Sequence, residues 1–402
     1  MDWQTNYTLI IPTFNRPLLL KRILAYLNYK GAKFPILILD SSPEDVKVEN
    51  SQIIEDCSLT EISYYDYPRE TFFHHKCLDG LTKVTTDYVS FCADDDCLFL
   101  DALPECISYL AEHLDYVACH GYSLWFAHQE SPETDCVVGL EYTALSFASD
   151  SIYERLLQMM YRYEAVFYSV YRTEVLRKIY TAALEIKSFL YNEYFLGFAT
   201  VATGKVKGLN CVYYGRNRIP QADPTISNWQ PLYWFVENSS GLFKDYLDYR
   251  KVLLDYCSEF NPSLKNDEKG KQIIDMMHGV LFHRQCDPYY IINCLNQELS
   301  INFAPSQFDP PKLIPEAGIE ETDNSLNFFQ SLIEGKYLPD FLKNSFKSVP
   351  ETPQPSSVNN DLERRVITAN DQSIRHDIFK VVIDKVEDEV LTQTLKELSF
   401  FL

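Results

Sequence analysis

Apolar residues in this chain come in short unbroken runs separated by stretches of helical period. Tyr7-Thr-Leu-Ile-Ile11 is the first run and breaks at Pro12-Thr-Phe-Asn-Arg-Pro17. Runs of this kind read as strands buried on both faces of a parallel sheet. Asn15 suits a helix N-cap and Pro17 the first turn, and Leu19, Leu20, Ile23, Leu24 and Leu27 follow at helical spacing. Phe34–Leu39 is a second buried strand ending at Asp40-Ser-Ser-Pro43, and Glu61–Tyr65 a third. Residues 71–85 read as a helix with His74 and His75 on a partly exposed face, too close in sequence to form a metal pair. Tyr88-Val-Ser-Phe-Cys92 then runs into Asp94-Asp95-Asp96. This βαβαβαβ alternation predicts an α/β fold, a doubly wound, mostly parallel sheet with a Rossmann-like nucleotide-binding core. Right-handed crossovers bring residues 12–17, 40–43 and 94–96 to one sheet edge, where such folds bind ligands.

Downstream, Leu114–Tyr122 reads as another strand, residues 130–136 as a polar loop and residues 151–161 as a helix. Residues 165–176 read as strand, Arg172, helix, and residues 191–214 as helix, glycine turn and strand. After Pro220, helical patterns at 232–260 and 269–296 predict a helical C-terminal region. The expected organisation is a nucleotide-binding domain over 1–225 and a helical accessory region over 226–303. A Pro-rich linker or irregular cover over 304–362 and an amphipathic helix over 363–402 complete it. That last helix offers a surface for a homo-oligomer or for docking back on the core; its mixed acidic face suits a membrane surface least.

Composition narrows the function classes. With 36 Lys and Arg against 57 Asp and Glu, the net charge of -21 argues against a protein that wraps nucleic acid or lies on anionic lipid. Eleven cysteines, an odd number without a C-x-x-C pair, fit reduced thiols in a cytoplasmic protein. No signal peptide opens the sequence and no run approaches the roughly 18 to 20 apolar residues of a membrane span. The expected localisation is cytoplasmic, with peripheral attachment at the inner membrane face left open. Twenty-eight Tyr and 25 Phe exceed what a core needs, leaving rings to line a site for sugar or base.

Three adjacent carboxylates at a strand end repel one another unless a cation or hydrogen-bond donors compensate. A hard divalent ion, Mg²⁺ or Mn²⁺, held by one or two carboxylates and by substrate phosphates, suits them. The competing reading is a solvated acidic turn.

Ile11-Pro-Thr-Phe-Asn-Arg-Pro17, Ile38-Leu-Asp40-Ser-Ser and Ala93-Asp-Asp-Asp96 together resemble a GT-A-fold glycosyltransferase of the family 2 type, over about residues 1–220. The resemblance implies a metal-dependent, inverting enzyme of hexosyltransferase type. Such an enzyme moves a sugar from a nucleotide diphosphate sugar to a glycan or lipid-linked acceptor, usually in surface polysaccharide assembly. It implies Thr13, Arg16, Asp40 and Lys76 as donor-binding residues and Asp94 to Asp96 as the counterpart of the DXD motif. Asp94 and Asp96 are then the metal ligands, with Asp94 and Asp95 also contacting the donor. Ala93 stands where the family often has its first aspartate, so that residue maps to Asp94 or is replaced by Ala93. Inversion needs a carboxylate base. The resemblance places it at Glu193, in Tyr191-Asn192-Glu193 where the family often has Glu-Asp, with Asp150 in reserve. Arg216 and Arg218 are expected to close over the donor pyrophosphate. Two alternatives stand beside this. A non-catalytic sugar- or partner-binding module would keep the fold, and a sugar-1-phosphate nucleotidyltransferase would need a glycine-rich loop that Thr13–Pro17 lacks.

Overall fold

The four expected strands form β1 (Tyr7–Thr13), β2 (Ile36–Asp40), β3 (Ile62–Asp66) and β4 (Tyr88–Phe91), parallel and in the order β3-β2-β1-β4, with β3 the partly exposed outer one. This computed structural model describes residues 3–131, 134–142, 144–161, 163–217 and 239–264, with 274, 277, 278 and 281. Helices α1 (Pro17–Tyr29), α2 (Glu44–Glu55) and α3 (Phe73–Lys83) connect the strands. Successive residues of β1 serve opposite layers: Leu9 and Ile11 pack with α1, whereas Ile10 packs with Cys77 and Leu81 of α3. Neither face of β1, β2 or β4 is wet, which is why these three strands carry no polar alternation. Gly80 lets α3 lie close against β2, since a Cβ there would meet Leu39 Cδ1 at 2.6 Å.

The sheet continues through β5 (Cys97–Leu98), β6 (Tyr116–Ser131), β7 (Thr134–Tyr142), β8 (Val170–Arg172) and β9 (Lys205–Asn217). The overall order is β3-β2-β1-β4-β8-β6-β9-β5, with β7 paired to β6. The stretch 130–136, expected to be a polar loop, largely belongs to strands: β6 runs on to Ser131 and returns as β7. Cross-strand pairing supplies the order that the polar composition did not reveal.

Helices α4 (Leu103–Glu112), α5 (Ile152–Tyr161), α6 (Thr173–Ala183) and α7 (Phe189–Thr203) cover the faces. Arginines satisfy three of the helix ends that would otherwise leave carbonyls unpaired. Arg172 donates to Leu110 and His113 carbonyls behind α4, Arg177 to those of Leu81 and Val84 behind α3, and Arg155 to those of Val201 and Ala202 in α7.

Helix α8 (Ser239–Ser258) confirms helical character after Pro220. It shares one core with α6 and α7: Tyr249 stacks on Tyr191 at 5.0 Å, and Tyr249 and Tyr246 meet His278 at 2.7 and 3.3 Å. The boundary at 225–226, the Pro-rich stretch 304–362 and the helix expected over 363–402 lie outside the described residues. Among those described, no helix is long and apolar enough to cross a membrane, and Cys57, Cys77, Cys92, Cys97, Cys106, Cys119, Cys211 and Cys257 are free thiols.

Candidate active site

The carboxyl ends of β1, β2 and β4 meet at one edge, with Thr13 in register with Asp40 and Ile10 with Phe91, the last residue of β4, after which Cys92 and Ala93 lead into the acidic turn. At that edge Thr13 Oγ1 donates to Asp94 Oδ2 at 2.7 Å. Arg16 bridges Asp94 and Asp95 at 3.2 and 2.9 Å, and Arg22 donates to the Asp95 carbonyl at 2.9 Å. Thr13 and Arg16, named from the loop after β1, therefore join the acidic cluster directly. The loop takes that path through Asn15, which has φ 56 and whose N–H donates to Ser42 Oγ at 2.8 Å. Asn tolerates this left-handed conformation better than most residues. It is not the expected N-cap: Arg16 precedes α1, with its carbonyl accepting from Leu19 and Leu20, and Pro17 opens the helix.

Lys76 is 3 % exposed and donates to the Thr13 carbonyl (3.0 Å) and Ser41 Oγ (2.8 Å), tying the ends of β1 and β2 together. Burial pushes its pKa down, while nearby Cys77, Asp40 and Asp94 hold it up. Asp40 is fully buried and engaged inside the protein. It accepts from the Ser42 N–H (2.7 Å), Asn50 (2.8 Å) and Tyr64 (2.7 Å). On the same helix as Lys76, His74 is buried among Phe73, Phe189 and Tyr180, contrary to the exposed face expected for it. Burial lowers its pKa to about 3, so it is a neutral core residue.

Asp96 turns the other way, toward β9. Its Oδ2 accepts from the Tyr214 hydroxyl and its Oδ1 from the Asn217 N–H, both at 2.8 Å. Burial and then the charge of Asp95 push the Asp96 pKa well above the carboxylate range, against the Asn217 N–H, the Tyr214 hydroxyl and Arg216. The same two causes raise Asp94 to about 6, against Arg16 and Thr13. Both carboxyls are thus short of positive charge.

Among the described residues, no group of three or more His, Cys, Asp or Glu side chains forms a metal cage. Magnesium sites of the kind held by one or two carboxylates and substrate phosphates need no such cage. The hard-oxygen donors and the undercompensated charge at Asp94 and Asp96 fit such an ion.

Across the cleft stands α7. Its Ser188 N-cap accepts from Tyr191 N, and Asn192 is fully buried, donating to the carbonyls of Ala183 and Ile186 at 2.9 and 3.0 Å. Of the pair Asn192-Glu193, the first therefore caps α6. Glu193 is half-buried, with the Tyr163 hydroxyl donating to Oε1 at 3.5 Å. Burial pushes its pKa up to about 7, with Arg216 and then Tyr163 holding it down. Arg216 is exposed, and its charge holds down the pKa of both Asp96 and Glu193. Asp150 does not join them. It is exposed and paired with Lys205 at 2.7 Å, beside Asp115 at the start of β6, the sheet edge opposite the acidic cluster. Arg218 lies outside the described residues.

Aromatic rings complete the cleft. Tyr168 stacks on Tyr214 at 4.4 Å, and Tyr213 donates to the Tyr168 carbonyl at 2.7 Å. Tyr214, Tyr168, Tyr163 and Arg22 were not among the residues singled out from sequence. Each is one tyrosine or arginine among many, with no local spacing to mark it.

With this geometry in place, comparison with known proteins adds a family. Residues 8–129 match the model of glycosyl transferase family 2, a span that holds Thr13, Arg16, Asp40, Lys76 and Asp94 to Asp96 but ends before Glu193 and Arg216. The match supports a glycosyltransferase, and the core is a GT-A fold. No curated protein matches the chain. Among solved structures, Staphylococcus aureus TarS residues 1–349 is similar at 13 % identity and TM-score 0.41, covering 83 % of this chain and 91 % of that one. The same protein in complex with UDP-GlcNAc gives 12 %, 0.40, 83 % and 91 %. The mannosyltransferase PcManGT from Pyrobaculum calidifontis, in complex with GDP-Man and Mn²⁺, gives 11 %, 0.42, 87 % and 89 %.

Proposed function

We propose that this protein is a metal-dependent, inverting glycosyltransferase of hexosyltransferase type. It takes its sugar from a nucleotide diphosphate sugar and passes it to a hydroxyl of a glycan or lipid-linked acceptor, in surface polysaccharide assembly. The observation that supports the reading is that Asp94 and Asp96, buried at the carboxyl edge of the sheet, are held from two sides, by Thr13 and Arg16 and by Tyr214 and the Asn217 N–H. Carboxylates suited to hold a cation thus lie at the sheet edge, and Glu193 is the carboxyl we assign to take a proton.

In this reading Glu193 removes the proton of the acceptor hydroxyl while that oxygen attacks the anomeric carbon. The bond to the phosphate oxygen breaks on the opposite face, and its electron pair leaves with the nucleoside diphosphate. Asp94 and Asp96 would hold Mg²⁺ or Mn²⁺, which when bound supplies positive charge to the departing diphosphate. Arg216 lies where a guanidinium can pair with phosphate oxygens, and Arg218 would assist it. Thr13, Arg16 and Asp95 shape the donor side. Lys76 holds the loops of that side together and brings a cation near the diphosphate. Asp40 orders the loop after β2 through Ser42, Asn50 and Tyr64, so its contribution to the nucleoside passes through that loop.

Thermal stability of the full chain against nucleoside diphosphates and their sugars, each with and without Mn²⁺, tests this. A ligand that binds only the folded state raises the midpoint by mass action. One base standing out, and only with Mn²⁺, is the expected result. A flat panel would overturn the reading in favour of a partner-binding module.

A further inference from the structure

Every carboxylate oxygen of Asp94 and Asp96 accepts a hydrogen bond from the protein, but the donors differ in charge. Asp96 receives the Tyr214 hydroxyl and the Asn217 N–H, both neutral. Asp94 receives the Thr13 hydroxyl on Oδ2 and the Arg16 guanidinium, at 3.2 Å, on Oδ1. The same Arg16 Nη1 reaches Asp95 Oδ2 at 2.9 Å, so one cation bridges two adjacent carboxylates.

A magnesium-like ion takes carboxylate oxygens at about 2.0–2.1 Å. With Arg16 in place, such an ion on Asp94 Oδ1 would stand within about 5 Å of a full positive charge. Burial of the aspartates strengthens that repulsion, because little water screens it. Ion and guanidinium therefore compete for Asp94.

Arg16 is the partner able to withdraw. Its backbone is fixed, since its carbonyl accepts from Leu19 and Leu20 at the start of α1. Its side chain is 30 % exposed, against 4 % and 10 % for those of Asp94 and Asp95. A long side chain with one open flank can swing while its backbone stays in place. Arg22, bonded to the Asp95 main-chain carbonyl at 2.9 Å, keeps the turn supported when it does.

We propose that Arg16 is the resident counter-ion of the acidic turn. It bars Asp94 to a lone divalent ion and gives way when the ion arrives with a nucleoside diphosphate. The phosphate oxygens draw the guanidinium off by pairing with it, and the vacated Asp94 oxygen goes to the ion. This rests on the transferase reading and adds a coupling to it: by linkage, ion and diphosphate raise each other's affinity by the same factor.

Electron paramagnetic resonance of Mn²⁺ on the full chain tests this, first with the ion alone and then with UDP or GDP, against protein-free mixtures. In the unaltered protein the diphosphate that binds is expected to tighten Mn²⁺ by roughly tenfold or more. The Arg16→Met and Arg16→Gln variants are expected to bind Mn²⁺ alone roughly fivefold more tightly and to show less coupling. Arg16→Lys keeps a charge and is expected to stay near the unaltered protein. A merely structural arginine would give the opposite sign, because loosening the turn weakens the ion. Adding Asp94→Ala to Arg16→Met is expected to remove the gain.

Mn²⁺ alone bound no more tightly by either neutral variant overturns the counter-ion role, as does equal tightening by Arg16→Lys or a gain that survives Asp94→Ala. In each of these cases nucleotide-dependent Mn²⁺ binding leaves the transferase reading standing. Absence of Mn²⁺ binding in every protein, with and without nucleotide, removes both.

Discussion

The Tyr214 hydroxyl donates to Asp96 Oδ2 at 2.8 Å, across 118 positions of sequence. The same oxygen accepts from the Ala93 N–H at 3.4 Å, and its ring stacks on Tyr168. One side chain thus fixes the acidic turn after β4 and forms the cleft wall. Removing that donor with Tyr214→Phe is expected to loosen Asp96 and weaken Mn²⁺-dependent nucleotide binding by roughly tenfold, as for a hydrogen bond to a charged group. The Mn²⁺ concentration at half-maximal thermal stabilisation by the bound nucleotide reads this. An unchanged value would mean that Asp96 does not hold the ion.

Replacing single carboxylates separates binding from chemistry. Asp94→Ala and Asp96→Ala are expected to abolish metal-dependent donor binding. The Glu193→Gln variant is expected to keep donor binding and lose transfer by about 10²–10⁴-fold, the usual range for general-base catalysis. Isothermal titration beside a turnover assay distinguishes the two outcomes. Normal transfer by the Glu193 variant would remove it as base; Asp150, at the far sheet edge, could not take its place without a rearrangement of that edge.

The pH profile follows from Glu193, whose pKa burial raises to about 7. A base works deprotonated, so kcat/KM is expected to rise with pH through about 7 and level off above it. Arg216 lowers that pKa, so Arg216→Met is expected to move the acidic limb upward. A limb near the ordinary glutamate value in the unaltered protein would contradict the assignment.

Stability in acid depends partly on His278, which is fully buried beside Tyr246 and Tyr249 and whose pKa burial lowers to about 3. The unfolded chain takes up a proton near the ordinary histidine value, and the folded chain does not until near 3. Stability from this residue is therefore present above about pH 6.5 and lost as pH falls toward 3, by about 1.4 kcal/mol per pH unit. Urea denaturation of a His278→Gln variant at pH 7 and pH 5 is expected to show lower stability at pH 7 and a shallower loss on acidification. A loss as steep as in the unaltered chain would refute this.

Much of the acidic sheet edge was legible because its signals are local. Each strand of the first half is an apolar run, each ends at a proline or an aspartate, and parallel order brings those ends together. Thr13, Arg16 and Asp94 to Asp96 meet for that reason. The β6–β7 hairpin was less legible, since a polar turn sequence and a polar edge strand have similar composition and only pairing tells them apart.

Hydrophobic period by itself determined the α/β class, the parallel direction of the first four strands and the edge at which the acidic turn lies, because backbone direction follows from patterns within a few residues. Only the tertiary structure decided where individual side chains point. It turned Asn192 inward to cap α6, filled the oxygens of Asp40 from within, and set Tyr214 on Asp96. These outcomes depend on contacts between residues far apart in the chain, and a side chain's partners are set by the packing of elements whose relative placement local patterns do not contain.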